Sequence, residues 1–204
     1  AADASVVAFV AKVGGDPAAI VVDLVAKTAV VARRNEGPVA VWGLDQRGRK
    51  VLLTSNTNDA AQLLLIDVAA GKTTTLSNRK GAVTSAVLHP SGDSAGFAAE
   101  LGGIGVLYWA DIAAGNRTEL ATSSNSRYAV LGIDKSRRQL LYEERGTEQP
   151  YRLWDRRKKA DRYTVIKGCV EPALSEDGKL MAVRYPKARM GAAVYLFGIP
   201  ELEE

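Results

Sequence analysis

Histidine and cysteine are almost missing from this chain: 204 residues contain one of each, His89 and Cys169. A lone cysteine excludes an internal disulfide framework and any cluster of thiolate metal ligands. A lone histidine means that a Ser-His-Asp arrangement would have to use His89. No apolar run approaches the ~20 residues that cross a bilayer as a helix, so a soluble chain with no membrane partner is expected. A large charge of one sign is also absent. The formal charge is +4 and the signs alternate along the chain, which gives little electrostatic motive for nucleic acid as a partner. The chain opens Ala1-Ala2-Asp3, without an initiator Met or a charged-then-apolar leader. The expectation is a trimmed or processed product whose compartment the sequence does not fix.

What is present is ordinary globular composition, 47% hydrophobic and 25% charged, enough to fold around a substantial core. It is arranged as a repeat. A short apolar run ending in Asp recurs as Ile20-Val21-Val22-Asp23, Leu64-Leu65-Ile66-Asp67, Tyr108-Trp109-Ala110-Asp111 and Arg152-Leu153-Trp154-Asp155, at intervals of 44 residues. A fifth run, Val194-Tyr195-Leu196-Phe197, ends on Gly198 instead. Polar turns keep the same rhythm: Asp45-Gln46-Arg47-Gly48, His89-Pro90-Ser91-Gly92, Asp134-Lys135-Ser136 and Ser175-Glu176-Asp177-Gly178, with Gly48, Gly92 and Ser136 again 44 apart. Gly supplies the positive φ of a tight hairpin, and Asp, Ser and Pro favour the preceding positions.

Between these landmarks lie β-branched and aliphatic runs of five to nine residues, the length of strands rather than helices. Each unit then holds four strands. They are expected at 38–44, 50–56, 61–68 and 72–77 in the second unit; 82–88, 94–100, 105–112 and 116–121 in the third; 127–133, 138–144, 151–155 and 162–166 in the fourth. An isolated unit of this kind leaves both faces apolar and buries them only by stacking on its neighbours. The predicted fold is therefore all-β: a single β-propeller domain, or a fragment of one, of about five four-stranded antiparallel blades. The blades fall at about 1–34, 35–79, 80–124, 125–167 and 168–204. Counting back 44 from Gly48 places the first hairpin tip at Ala4, so the first blade lacks its innermost strand. At the other end, 169–175, 179–185 and 192–197 supply three strands and no fourth. Three complete blades flanked by two incomplete ones are expected, with the edges at 5–13 and 192–197 predicting self-association.

Two of these turns carry a resemblance. Leu174-Ser175-Glu176-Asp177-Gly178-Lys179-Leu180-Met181-Ala182 is similar to the Ser-Pro-Asp-Gly-Lys turn, and Leu65-Ile66-Asp67-Val68-Ala69-Ala70-Gly71-Lys72-Thr73 to the Asp-Leu-x-x-Gly turn, of the propeller in the prolyl oligopeptidase family of serine peptidases. More broadly, they resemble the WD40-like repeats of TolB, and Cys169-Val170-Glu171 also resembles the peptidase propellers. The resemblance covers nearly the whole chain. It implies a propeller that sits over a separate α/β-hydrolase domain and restricts its substrates, with the catalytic residues all in that other domain. No Gly-x-Ser-x-Gly elbow occurs in this sequence, so fold kinship does not carry the activity across.

The remaining candidates reduce to turns. His89 reads as a surface turn residue beside Pro90. Gly71-Lys72-Thr73 lacks the first Gly of a phosphate loop, since Ile66 stands there. The four repeated Asp residues read as acceptors for turn N–H groups. Catalytic, cofactor and metal assignments are all none. Arg156-Arg157-Lys158-Lys159 with Arg162, together with Arg47, Arg49, Lys50, Lys135, Arg137, Arg138 and Lys179, places many cations in turns on one side of the blades, a face that suits an acidic partner. The opposite side carries the longer connections Gly14-Gly15-Asp16-Pro17, Asn56-Thr57-Asn58-Asp59, Gly102-Gly103, 145–150 and 186–189, where binding usually resides. The predicted role is a non-catalytic scaffold or protein- or peptide-binding module, an engineered or excised piece of a peptidase-type propeller. The second reading is the substrate-gating propeller of a serine peptidase whose hydrolase lies elsewhere. Trp42, Leu52, Leu64, Val87, Leu107, Leu131, Leu141, Leu153, Leu174 and Leu196 are expected to be buried between blades.

Overall fold

Alternation of apolar side chains with period two puts one row of each short run on either face of a pleated strand, and here both rows are apolar. The chain accordingly forms sheets that must be covered on both sides. The computed structural model describes residues 5–34, 37–57, 60–77, 81–147, 150–164, 169–175, 177–188 and 191–199. Every described element is a β-strand.

The strands form five antiparallel sheets, each a simple meander. The first contains β1 (Val6–Val13), β2 (Asp16–Asp23) and β3 (Thr28–Arg34). The second contains β4 (Val39–Leu44), β5 (Lys50–Thr57), β6 (Ala60–Asp67) and β7 (Lys72–Thr75), and the third β8 (Ala82–Leu88), β9 (Ser94–Leu101), β10 (Ile104–Asp111) and β11 (Asn116–Ser123). The fourth is β12 (Arg127–Ile133), β13 (Gln139–Arg145), β14 (Tyr151–Asp155) and β15 (Ala160–Thr164); the fifth is β16 (Val170–Leu174), β17 (Leu180–Ala188) and β18 (Gly191–Gly198). The 44-residue interval aligns β1 with β5 and β16 with β12. Among the described residues, the first sheet thus has no counterpart of β4 and the fifth none of β7. Of the expected strands, 162–166 is shifted to Ala160–Thr164, and positions 165–166 lie outside the described residues.

Each sheet packs face-on against the next in chain order. The first strands of the second, third, fourth and fifth sheets lie closest together. Four apolar clusters fill the four junctions. Val21 meets Leu53 and Ile66 in the first, and Leu65 meets Phe97 and Tyr108 in the second. Trp109 meets Leu140, Tyr142 and Trp154 in the third, and Leu153 meets Met181 and Val183 in the fourth. Ring contacts add to the packing, with Phe97 stacked on Tyr108 at 4.9 Å between centroids.

Two of the ten residues expected to be buried are exposed. Leu131 is 39% accessible because a bulge between Val130 and Gly132 leaves it unpaired and turned outward. Leu196 is 70% accessible because no described element packs against its face of the fifth sheet. Leu52, Leu64, Leu107, Leu141 and Leu153 are buried, and Trp42, Val87 and Leu174 are half-buried.

Candidate binding face

The turns between first and second strands, and between third and fourth strands, lie on one side of every sheet. Each is closed by a side chain that replaces missing backbone partners. Asp45 Oδ1 accepts from the N–H groups of Arg49 at 2.7 Å and Lys50 at 2.9 Å. Asp134 Oδ1 does the same for Arg138 at 2.8 Å and Gln139 at 2.7 Å, while the Ser136 hydroxyl donates to Oδ2. Ser175 Oγ accepts from Leu180 N–H at 2.9 Å and donates to Asp177 at 2.6 Å. The four repeated Asp residues cap the other turns. Asp23 accepts from Val25 and Ala26, Asp67 from Ala70, Asp111 from Ala114, and Asp155 from Arg157 and Lys158. A carboxylate held this way is a turn acceptor, as the sequence implied.

Backbone geometry follows the repeat as well. Lys27, Gly71, Gly115 and Lys159, 44 residues apart, all have positive φ, at 54°, 63°, 68° and 52°. Two lysines thus occupy a left-handed position that Gly fills in the middle copies. In the other set of turns the positive φ belongs to Gly48, Gly92, Arg137 and Gly178. Ser136, which keeps the 44-residue interval in sequence, is not the equivalent of Gly92; Arg137 is. The turn itself keeps its length, closing from Asp134 to Gln139 as from His89 to Ser94, and the extra residue of the fourth copy precedes it, so Phe97 aligns with Tyr142 rather than with Leu141.

His89 is buried, not a surface residue. Its Nε2 lies 3.1 Å from the Lys135 carbonyl oxygen in the next sheet. A carbonyl only accepts, so Nε2 carries the proton and Nδ1 accepts from Ser91 N–H at 3.1 Å. The Ser91 hydroxyl sits 2.6 Å from Nδ1 and also against Asp93. Arg137 Nη1 completes the group at 2.5 Å from Asp93 Oδ2. Burial raises the Asp93 pKa, but the Ser91 hydroxyl and the Arg137 guanidinium outweigh it, holding the carboxyl below its ordinary value of 3.8. The three residue types of a catalytic triad meet here in the wrong order. In a triad the imidazole bridges serine and carboxylate; here serine bridges the other two, and Nε2 is spent on a backbone carbonyl. The cluster pins the tip of the third sheet to the fourth. Lys50 Nζ, donating to the Gly92 carbonyl at 2.9 Å, does so between the second and third.

A second polar cluster lies on the fourth sheet. The Tyr142 hydroxyl donates to Asp161 Oδ1 at 2.8 Å, and Arg152 pairs with Asp161 Oδ2 at 3.1 Å and Glu144 Oε2 at 2.7 Å. Burial, then the hydrogen bond and charge of Asp161, push Tyr142 far above the usual phenol range, so it donates and does not act as a base. Burial also raises the Cys169 thiol, which disfavours the nucleophilic thiolate. Among the described residues no group of three or more His, Cys, Asp and Glu comes together as metal ligands would.

The cations dominate what this face shows to solvent. Arg47, Arg49, Lys135, Arg138, Arg157, Lys158, Lys159 and Lys179 are exposed on it. Arg137 and Arg156 are exposed too, but engaged, the latter with Asp111 at 3.1 Å and over the Trp109 ring. Among the described residues Arg157, Lys158 and Lys159 meet no acidic side chain within ion-pair distance. The Arg162 side chain lies outside the described set, as do Asn58, Asp59, Glu148, Gln149, Glu176 and Arg189. On the opposite side, a cleft of about 440 Å³ opens between the first two sheets beside Val10, Lys12, Pro17 and Pro38. Its lining offers no acid–base pair.

Comparison with solved structures places this architecture. TolB from Acinetobacter baumannii superposes with a TM-score of 0.66 at 16% identity, over 96% of this chain and 50% of that one. An oligogalacturonate lyase in complex with manganese gives 0.65 at 14% identity, over 91% and 55%, and a prolyl endopeptidase 0.69 at 13% identity, over 96% and 32%. The five sheets are the blades of a β-propeller. The likeness read from the turns extends to the fold, and the chain spans about half the length of the TolB and lyase chains it matches. No family model matches the sequence, and no curated protein does. Two features of the blades were hidden from sequence reasoning: the burial of His89, which depends on Lys135 in the next blade, and the uncovered faces of the end blades.

Proposed function

We propose that this propeller segment is a non-catalytic module that presents its turn face to an acidic protein partner. The observation that carries the reading is the concentration of exposed cations on the turns of the fourth blade. There Arg157, Lys158 and Lys159 project from a turn whose own carboxylate, Asp155, is occupied by backbone N–H groups. Rigid blades holding charged turns supply steering and specificity more than raw affinity. The test is anisotropy of a fluorescent poly-glutamate peptide titrated with the protein. Saturable binding is expected, weakening as ionic strength passes about 0.15 M, where the Debye length is about 8 Å, and lost in the double variant R157E/K158E. Binding unchanged by that substitution overturns the proposal. Turnover of an activated ester that disappears in H89A overturns the non-catalytic part.

The second reading, a substrate-gating propeller of a serine peptidase, draws support from the fold likeness to a prolyl endopeptidase, of which this chain covers 32%. A hydrolase domain encoded on the same polypeptide decides for it.

A further inference from the structure

On the turn face, each of the two turns of the fourth blade carries a pair of adjacent arginines, Arg137-Arg138 in one and Arg156-Arg157 in the other. The turns touch, because Arg156 N–H donates to the Arg138 carbonyl at 2.7 Å. One member of each pair is held by a carboxylate of the third blade. Asp93 Oδ2 accepts from Arg137 at 2.5 Å, and Asp111 Oδ2 from Arg156 at 3.1 Å. Asp111 serves twice, since its Oδ1 also caps its own turn through Ala114 N–H. The other two members, Arg138 and Arg157, are exposed and meet no acidic side chain among the described residues.

The repeat marks these ties as departures. The counterparts of Arg156 are Leu24, Val68 and Ile112, and those of Arg137 are Gly48, Gly92 and Gly178. Arg137 keeps the left-handed conformation of those glycines, with φ 58°, which is unfavourable for a residue with a Cβ. Asp93 in turn stands where the other blades have a cation, Arg49, Arg138 or Lys179. The second and third blades are joined through backbone carbonyls instead, by Lys50 to Gly92 and by Arg117 to Leu76, so joining blades does not in itself require a carboxylate.

We infer that Asp93 and Asp111 are internal stand-ins for the acidic partner, masking Arg137 and Arg156 until carboxylates of that partner replace them. The inference rests on the reading of the turn face as an acidic-partner site and adds its regulation. The arginine side chains are 44% and 43% accessible, and the aspartates 27% and 25%. Ion pairs this open to water contribute little, so exchanging one carboxylate for another costs little. A guanidinium fork suits any carboxylate that arrives in its plane, and the Trp109 ring supports Arg156 whichever carboxylate it meets. With both pairs exchanged, four arginines in two touching turns face the partner in place of two. The partner that fits is a chain bearing several carboxylates, not a single small acid.

Anisotropy of the fluorescent poly-glutamate peptide, read as a double-mutant cycle, tests the masking. D111N keeps the Oδ1 acceptor for Ala114 and releases Arg156, so affinity should rise about twofold to fivefold, the range of an exposed ion pair. In the R156Q background the same substitution only removes a charge, and its gain should be smaller. Equal gains in the two backgrounds mean that Asp111 acts as a distant charge alone, and they overturn the inference. So does the absence of any gain. If D93N/D111N binds the peptide and the parent does not, the masking stands and the parent's turn face is closed to acidic chains. If neither binds, both the masking and the acidic-partner reading fall. Failure of that reading alone shows separately, as parent binding that R157E/K158E leaves unchanged.

Discussion

The middle blades and the end blades are built from the same repeat yet differ in what their apolar faces touch. In the second to fourth blades, both rows of side chains on the central strands are buried, and Leu52, Leu63, Phe97, Leu107, Leu140 and Leu141 are wholly enclosed. In the first and fifth, one row is buried and the other faces water, as at Phe9 and Leu196. A strand's pattern specifies which side chains share a face. Whether that face is covered is a property of the stack.

The sharpest way to break this comparison is to truncate equivalent positions. L153A, inside the fourth junction, should lose about 2–5 kcal/mol of stability. L196A, one repeat later and uncovered, should stay within about 0.5 kcal/mol under monomeric conditions. Denaturant midpoints of the two variants measure the difference, and equal losses would mean that the fifth blade's forward face is covered within the monomer.

A smaller effect separates the two kinds of turn carboxylate. Asp134 is buried and serves Arg138, Gln139 and Ser136. D134A therefore strands buried donors and should cost about 1–3 kcal/mol. Asp23 caps an exposed turn on the end blade, where water replaces the carboxylate, so D23A should cost less than about 1 kcal/mol. Thermal melts of both variants check the order.

Asp93 ties the third blade to the fourth, and its depressed pKa makes the tie sensitive to acid. A carboxyl whose folded pKa lies below its unfolded value adds stability above the unfolded value, and loses it as pH falls through the folded one. The parent should therefore lose stability below pH 3.8 more steeply than D93N, while above it the parent is the more stable of the two. Urea midpoints on either side of that pH measure the crossover.

The smallest expected effect concerns Lys159, which holds a φ of 52° where the middle copies have Gly71 and Gly115. K159G relieves a left-handed conformation that costs an L-residue about 1–2 kcal/mol, offset by the added freedom of the unfolded chain of about 0.4–1 kcal/mol. A gain of about 0.5 kcal/mol is the expected balance, and thermal unfolding measures it.

The repeat interval carried most of the fold. Strands Ala82–Leu88, Arg127–Ile133 and Tyr151–Asp155 fall where the spacing put them, because hairpin turns and strand alternation are both local. Departures arose where a distant neighbour decides. Leu131 follows strand alternation in sequence, but the bulge that turns it out is set by pairing with β13. The extra residue that precedes the fourth blade's turn is invisible in a count from Gly92 to Ser136, since the left-handed position moves to Arg137, whose guanidinium reaches Asp93. His89 read as a surface residue because nothing near it in sequence announces that the Lys135 carbonyl accepts from its Nε2. The cationic turns were legible as a group, since turns at alternate strand ends share a side whatever the blade number.

The second to fourth blades are covered on both faces and the first and fifth on one. Amide hydrogen exchange, followed strand by strand, tests that difference most directly. In dilute solution, β9, β10, β13 and β14 should exchange slowly and β1 and β18 rapidly, as expected where few buried contacts resist local opening. Uniform protection across all five blades would contradict it.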